Sequence, residues 1–348
     1  MLKTTKAAIL VESRRPLIVD EVDLPSELFA GQVLVKVLKT TICGAQINEI
    51  AAAKGADKFL PHLLGHEASA LVIEIGPGVT HLSPGQTVVL HWRPGLGIQS
   101  VPPVYSWRGA RLNAGWVTTF NQYAVVSENR ATPLPEGLGV DIAPLFGCSV
   151  TTAAGVINND AKVRVGDSLV VFGAGGVGLN IVQFAQLAGC YPIIAVDLVP
   201  DKLKMALARG ATHGLDGTDI GNVDKEIRSV VGPKGVSRVI DTTGIRSVIE
   251  CAYELTAADG TCVLVGVPSE KVTIYTLPLH FDKVLTGSHG GEARPHDDIP
   301  RLARLYQAGR LSLDGLVTHE FPLDKVNDAL DLVRSGTAGR VALAVGDS

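Results

Sequence analysis

LVVFGAGGVGLN, residues 169–180, is the stretch on which the reading of the whole chain turns. Four apolar residues, Leu169–Phe172, read as a strand buried on both faces. They run straight into Gly173-Ala174-Gly175-Gly176-Val177-Gly178, the pattern G-x-G-x-x-G, and a helical stretch follows over Val177–Ala188. Each glycine of that pattern has a physical reason. The first permits a tight turn and the second lets the backbone approach a pyrophosphate. The third lets helix and strand pack closely, with the helix N-terminus facing the negative charge. The next strand, Ile193–Val196, is closed by Asp197, 19 residues after Gly178. An acid there hydrogen-bonds the ribose hydroxyls of NAD and repels the extra phosphate of NADP.

From this centre the same rhythm extends towards the C-terminus. A helix is predicted over Asp201–Ala208, strands at Arg238–Asp241 and Thr261–Val265, and a helix, Ile245–Leu255, between them. Strands alternating with helices imply a parallel sheet covered on both faces, so 150–287 reads as a doubly wound nucleotide-binding domain. Towards the N-terminus, 1–149 is strand-rich. Short apolar runs such as Ala7–Val11 and Val33–Leu38 are cut by Gly-Pro and Pro-Gly turns, as in an irregular β-barrel. Residues 288–348 add two amphipathic helices, near 299–308 and 324–334, and a last strand, Val341–Val345. The charged residues of 201–209 and 324–334 read as solvated helix faces.

Composition narrows the function class. The chain has 348 residues, enough for two domains, and its 46% apolar and 19% charged content excludes disorder. A net charge of −4 shows no basic surface for nucleic acid or an anionic membrane. Ser168 to Val196 carries no charge, but its glycines, Asn180, Gln183, Gln186 and Pro192 fit strand, turn and helix better than a membrane span. The N-terminus reaches Glu12 and two arginines too soon for a signal peptide. Five scattered cysteines argue against a disulfide framework and fit a reducing cytoplasm.

Cys43, His66 and Cys148 form a second constellation, with Glu67 beside it. Two thiolates and an imidazole make a zinc set with an open position, as a catalytic site needs, although composition alone also allows such a set by chance. Cys190, Cys251 and Cys262 read as buried thiols. His62 lies four residues before His66, but Pro61 and Gly65 argue against a helix presenting both, so it reads as a surface group or one behind the ligands.

The motifs TTICG, LLGHE, LFGCSVTTAAGV, VVFGAGGVGLN and AVDLVPDK, in that order, resemble the zinc-dependent alcohol dehydrogenases of the medium-chain dehydrogenase/reductase family. The resemblance covers nearly the whole chain. It implies a GroES-like β-barrel catalytic domain with a Rossmann domain inserted before its C-terminal part, and a homodimer or homotetramer acting on a small alcohol or carbonyl compound. It further implies that Cys43, His66 and Cys148 hold one catalytic zinc, with Glu67 a fourth or transient ligand or a group behind the ligands. Thr152 and Val177 would lie behind the nicotinamide of NAD, Asp197 and Lys202 would bind the adenosine ribose, and Arg340 the pyrophosphate. Ala45 and Trp92 would line the substrate pocket. Two rivals stay open: a zinc-free NAD(P)H-dependent reductase of the same fold, and a nucleotide-binding protein without turnover.

Three departures from the family pattern matter. The cysteine lobe that holds a second, structural zinc is missing, since 91–117 contains no cysteine. Ala45 stands where many members carry the first hydroxyl of a proton relay, and Gln46 and Asn48 stand where Asp and His are common. A neighbouring substrate hydroxyl, water or Glu67 would then have to move the proton, which favours a polyol or sugar derivative. Segment 91–117 holds all three tryptophans with Arg93, Arg108 and Arg111. It either packs its aromatics on the barrel or binds such a substrate.

Overall fold

The computed structural model describes residues 3–346, in two compact units. One runs to Cys148 and resumes at Arg294; the other is Ser149–Ala293. The second junction thus falls six residues later than the sequence reading placed it. The reason is that a short turn, Gly290–Glu292, packs on the first helix of the inserted unit.

The first unit begins with β1 (Thr4–Leu10), β2 (Ile18–Asp23) and β3 (Gln32–Ile42), followed by helix α1 (Gly44–Ile50). Next come β4 (His62–Leu63), β5 (Ala68–Ile75), β6 (Thr87–Leu90), β7 (Val104–Trp107), β8 (Ala110–Asn113), β9 (Tyr123–Ser127), β10 (Ala131–Pro133) and helix α2 (Ala143–Phe146). Five of these strands close a barrel in the order β1-β2-β7-β8-β4. The others form a sheet, β10-β6-β5-β3, with β9 also on β3. Its far side is built by the end of the chain.

After the inserted unit, which holds α3–α7 and β11–β16, come α8 (Pro295–Gln307), β17 (Val317–Pro322), α9 (Val326–Arg334) and β18 (Arg340–Ala344). Strand β18 pairs antiparallel with β3, Val341 facing Ile42 and Ala344 facing Lys39. Leu10, Val35, Leu64, Phe120, Val341 and Leu343 meet in one core, each at most 2% exposed. Each such side chain contributes ~1.5–3 kcal/mol by burial.

The second unit opens with α3 (Ser149–Gly155) and then alternates β11 (Leu169–Phe172), α4 (Gly176–Leu187), β12 (Ile193–Asp197), α5 (Pro200–Ala208), β13 (His213–Asp216), α6 (Ile220–Val231), β14 (Val236–Asp241), α7 (Arg246–Leu255), β15 (Thr256–Leu264) and β16 (Val284–Gly287). The six strands are parallel, in the order β13-β12-β11-β14-β15-β16. Order reverses at β11, whose LVVF is wholly buried because helices cover both faces. That reversal leaves a crevice beyond the strand ends, where ligands bind in such sheets. The expected barrel plus doubly wound sheet is the fold found. The sequence reading did not anticipate α3, β13, α6 and β16 of this unit, nor β17 after it. No helix among the described residues is long and apolar enough to cross a membrane.

Candidate active site

Three loops of the first unit deliver the sulfur and nitrogen atoms. Cys43 follows β3 and is the N-cap of α1; its backbone N–H donates to Gln46 Oε1 at 2.9 Å. His66 follows β4 through Gly65, whose φ of 92° only glycine adopts easily and where a Cβ would lie 2.2 Å from Thr119 Oγ1. Cys148 follows α2. The ligand atoms of Cys43, His66 and Cys148 lie within 4.8 Å of one another.

The ring of His66 decides what this cluster is for. Nδ1 stands 2.6 Å from Gln46 Nε2, while Nε2 is sealed from solvent and has no hydrogen-bond partner. A buried nitrogen without a partner costs ~1–3 kcal/mol, so it calls for a ligand. Two soft thiolates and a neutral imidazole make a donor set that suits zinc. A metal on Nε2 leaves the ring proton on Nδ1, which asks Gln46 to turn its amide oxygen to the ring and to give up the bond it accepts from Cys43 N–H. Cys43 is held as the thiolate of the pair, first by a hydrogen bond from Cys148, against its own burial, with Arg340 and His66 helping. Cys148 is pushed the other way by the same contact.

Glu67 does not join the three converging atoms. It is wholly buried, and its Oε1 lies 3.1 Å from Arg340 Nη1. Burial raises its pKa, and Arg340 opposes that rise. Arg340 opens β18, donates through Nη1 to Ile42 O at 3.0 Å and keeps Nε and Nη2 without partners. Trp92 lies beside the cluster, its ring 6.5 Å from that of His66, and Arg93 sits over it. Ala45 is exposed on α1.

The other tryptophans of 91–117 pack on the barrel side. Trp107 Nε1 and Arg108 both donate to Asp20 of β2, at 2.9 and 3.0 Å. Trp116 donates to Ser100 O and lies under Arg130. Arg130 also holds Trp92 O and Gln99 Oε1. Glu128 accepts N–H groups from Thr80, His81 and Ile98 at 2.7–2.9 Å. Sequence reasoning missed this pair of residues, and also His91. His91 is buried between Arg93 O and Thr132 Oγ1, and burial lowers its pKa to about 3.

The glycine turn belongs to the second unit. Gly173 has a φ of 91°, and a Cβ on Gly178 would lie 1.9 Å from Gly173 O, so no larger residue fits. Gly175, the N-cap of α4, faces open space. Asp197 ends β12 and accepts Ala174 N–H at 2.7 Å and Val199 N–H at 2.9 Å, which fixes its carboxylate against the turn. Lys202 lies on α5 one turn on, and Thr152 on α3, which packs against α4 that carries Val177.

Comparison with known proteins bears directly on this pair of sites. Residues 30–136 match the alcohol dehydrogenase GroES-like domain, and 176–308 match the zinc-binding dehydrogenases. S-(hydroxymethyl)glutathione dehydrogenase of Paracoccus denitrificans is 32% identical, over 97% of this chain and 98% of its own. The chain belongs to the zinc-dependent medium-chain alcohol dehydrogenases. Among solved structures, an alcohol dehydrogenase zinc-binding domain protein from Burkholderia ambifaria superposes with a TM-score of 0.88 at 28% identity. Benzyl alcohol dehydrogenase of Acinetobacter calcoaceticus gives 0.87 at 26%. Each covers 99% of this chain and 100% of the other. As a dehydrogenase of this family the chain brings Cys43, His66 and Cys148 together, and its cysteine-free segment 91–117 is held by the Glu128 and Arg130 contacts.

Proposed function

We propose that this dehydrogenase interconverts an alcohol and its aldehyde or ketone with NAD as hydride carrier, using one zinc held by Cys43, His66 and Cys148. The observation that carries this reading is the partnerless His66 Nε2 aimed at two thiols. Zinc, when bound, supplies a Lewis acid that eases ionisation of a hydroxyl. The chain's residues set the rest. Cys43 and Cys148 provide charge, Gln46 orients the imidazole, and Arg340 offsets the buried charge of Glu67. Asp197 would accept from the ribose hydroxyls, and Gly175 leaves room for phosphate over the N-terminus of α4. Arg340 keeps two donors for an anion such as pyrophosphate.

Ala45, without a hydroxyl, still favours substrates with a neighbouring hydroxyl, such as polyols or sugar derivatives. Trp92 and Arg93 support that class, whereas Trp107 and Trp116 are committed to packing. A homodimer or homotetramer fits the exposure of Leu277, Phe281 and Val284 at and before the edge strand β16.

The test is elemental analysis of dialysed protein together with NADH absorbance over monohydric alcohols, polyols and sugar derivatives. One zinc per chain and NADH formation are expected, both lost in Cys148→Ser. Two zincs per chain, none, or a Cys148→Ser variant with full metal and activity would overturn the proposal. A metal-free parent that reduces alkenes or quinones would point to the zinc-free reductase instead.

A further inference from the structure

Oxidation of an alcohol releases a proton, and none of the residues at the metal cluster is suited to carry it outward. Ala45 has no hydroxyl, and Asn48 has no group that titrates near neutrality. Glu67 is wholly buried against Arg340, so a proton placed there has no route to solvent. Helix α1 offers another group. Gln46 and Ile50 occupy its buried face, while Ala45 and Glu49, four residues apart and so on one side, are exposed. Glu49 therefore stands one turn beyond Ala45, on the face where the relay hydroxyl is missing.

Glu49 is also held by an unusual neighbour. His62 is buried on β4, with Nδ1 2.9 Å from Leu63 O and Nε2 2.8 Å from Asp57 Oδ2. Both nitrogens face oxygen atoms, one a backbone carbonyl and the other a carboxylate, so the ring is fixed at both ends. Glu49 Oε1 lies 4.0 Å from His62 Nε2. We propose that Glu49 is the terminal acceptor of the alcohol's proton, reached through water along α1 and standing beside the His62 ring that Asp57 fixes; this rests on the dehydrogenase reading above.

The step balances. The O–H bond breaks and its proton passes to a water, which gives one of its own to the Glu49 carboxylate. The C–H electron pair leaves as hydride, so the alcohol loses two electrons and NAD gains them. Glu49, with 43% of its side chain exposed, then discharges the proton to solvent.

The charges around Glu49 fit the task. Desolvation raises its pKa from the ordinary glutamate value; His62, His66 and Lys54 pull it down, and Asp57 pushes it up. From α9, also packed on α1, Asp331 and Arg334 line a separate cavity with Arg14, Ile50 and Ala51. A base must be ionised to accept, so oxidation should fail on the acid side of Glu49's titration.

Two measurements on zinc-loaded protein test this. In the pH profile of alcohol oxidation, Glu49→Gln should lose the acid limb and at least ~10-fold in kcat near neutrality, with zinc content unchanged and partial rescue by acetate or imidazole. Glu49→Asp should keep the limb, and His62→Asn should move it to higher pH, since the electrostatic pull of His62 on the carboxylate is gone. Infrared titration needs no turnover. The parent should show a carboxyl band titrating above ordinary glutamates that vanishes in Glu49→Gln. A Glu49→Gln enzyme with the parent's limb and rate overturns the proposal, as does a parent without that band. A parent that turns over no alcohol, whatever its infrared spectrum, overturns the dehydrogenase reading and the proposal with it.

Discussion

Asp197 shows how one carboxylate can serve fold and selectivity together. Its two oxygens accept the N–H groups of Ala174 and Val199, so it pins the glycine turn to β12 while keeping lone pairs for a ribose. A 2′-phosphate in the same place would meet a fixed negative charge. Like-charge contact of that kind costs several kcal/mol, so kcat/KM should favour NAD over NADP by at least ~100-fold. Asp197→Gly should narrow that gap, and because Ala174 N–H then loses its acceptor, affinity for both cofactors should fall. Equal efficiency with both cofactors in the parent would contradict this. The placement of Asp197 at the strand end beside the glycine turn could be read from spacing, since a strand end 19 residues after Gly178 is a local signal. The pairing of Arg340 with Glu67 could not, because no periodicity links residues so far apart in the chain. His62 was equally opaque. Pro61 and Gly65 correctly excluded a helix, but burial beside Asp57 and Glu49 depends on how α1 and the following loop fold back.

At the level of elements, the segment around 91–117 is held by a carboxylate and a guanidinium. Glu128 collects three backbone N–H groups and Arg130 ties Trp92, Gln99 and Trp116. Burial works against the charge of Glu128, but the donors from His81, Ile98 and Thr80 win, and its pKa lies below the usual carboxylate value. A folded-state pKa that is depressed gives stability present above the unfolded value, ~4.3, and lost as pH falls through the folded one. Glu128→Gln should therefore lower unfolding free energy by ~1–3 kcal/mol at pH 7, and the difference should shrink below about pH 4. Urea unfolding at both pH values checks it, and equal stability at pH 7 would show the contacts to be idle. The sequence reading located this segment by its missing cysteines and its tryptophans, yet not its fastening. Helix α6 was passed over for a different reason. Its exposed face, Lys225, Glu226 and Ser229, hides a buried stripe of only Val223 and Ile227, and one local cue was Asp219, which caps Gly221 and Asn222.

Across the whole molecule, the two units differ in how the chain supplies them. The inserted unit is one continuous stretch, Ser149–Ala293, whereas the other needs both ends of the chain. Strand β18 supplies the neighbour of β3 and brings Arg340 to Glu67. A chain ending at Gly339 should thus lose zinc binding while a thermal transition of the inserted unit survives. Full zinc content in that truncated chain would refute this. During synthesis the ribosome releases the doubly wound sheet's strands long before residue 340, so that unit can form while its companion waits with the β18 side of β3 unpaired. Cys43 and Cys148 therefore exist as thiols before Arg340 arrives to favour the thiolate. A chain arrested before Arg340 should therefore hold metal at Cys43, His66 and Cys148 more weakly than the finished fold, because the cation that favours the Cys43 thiolate is not yet beside it.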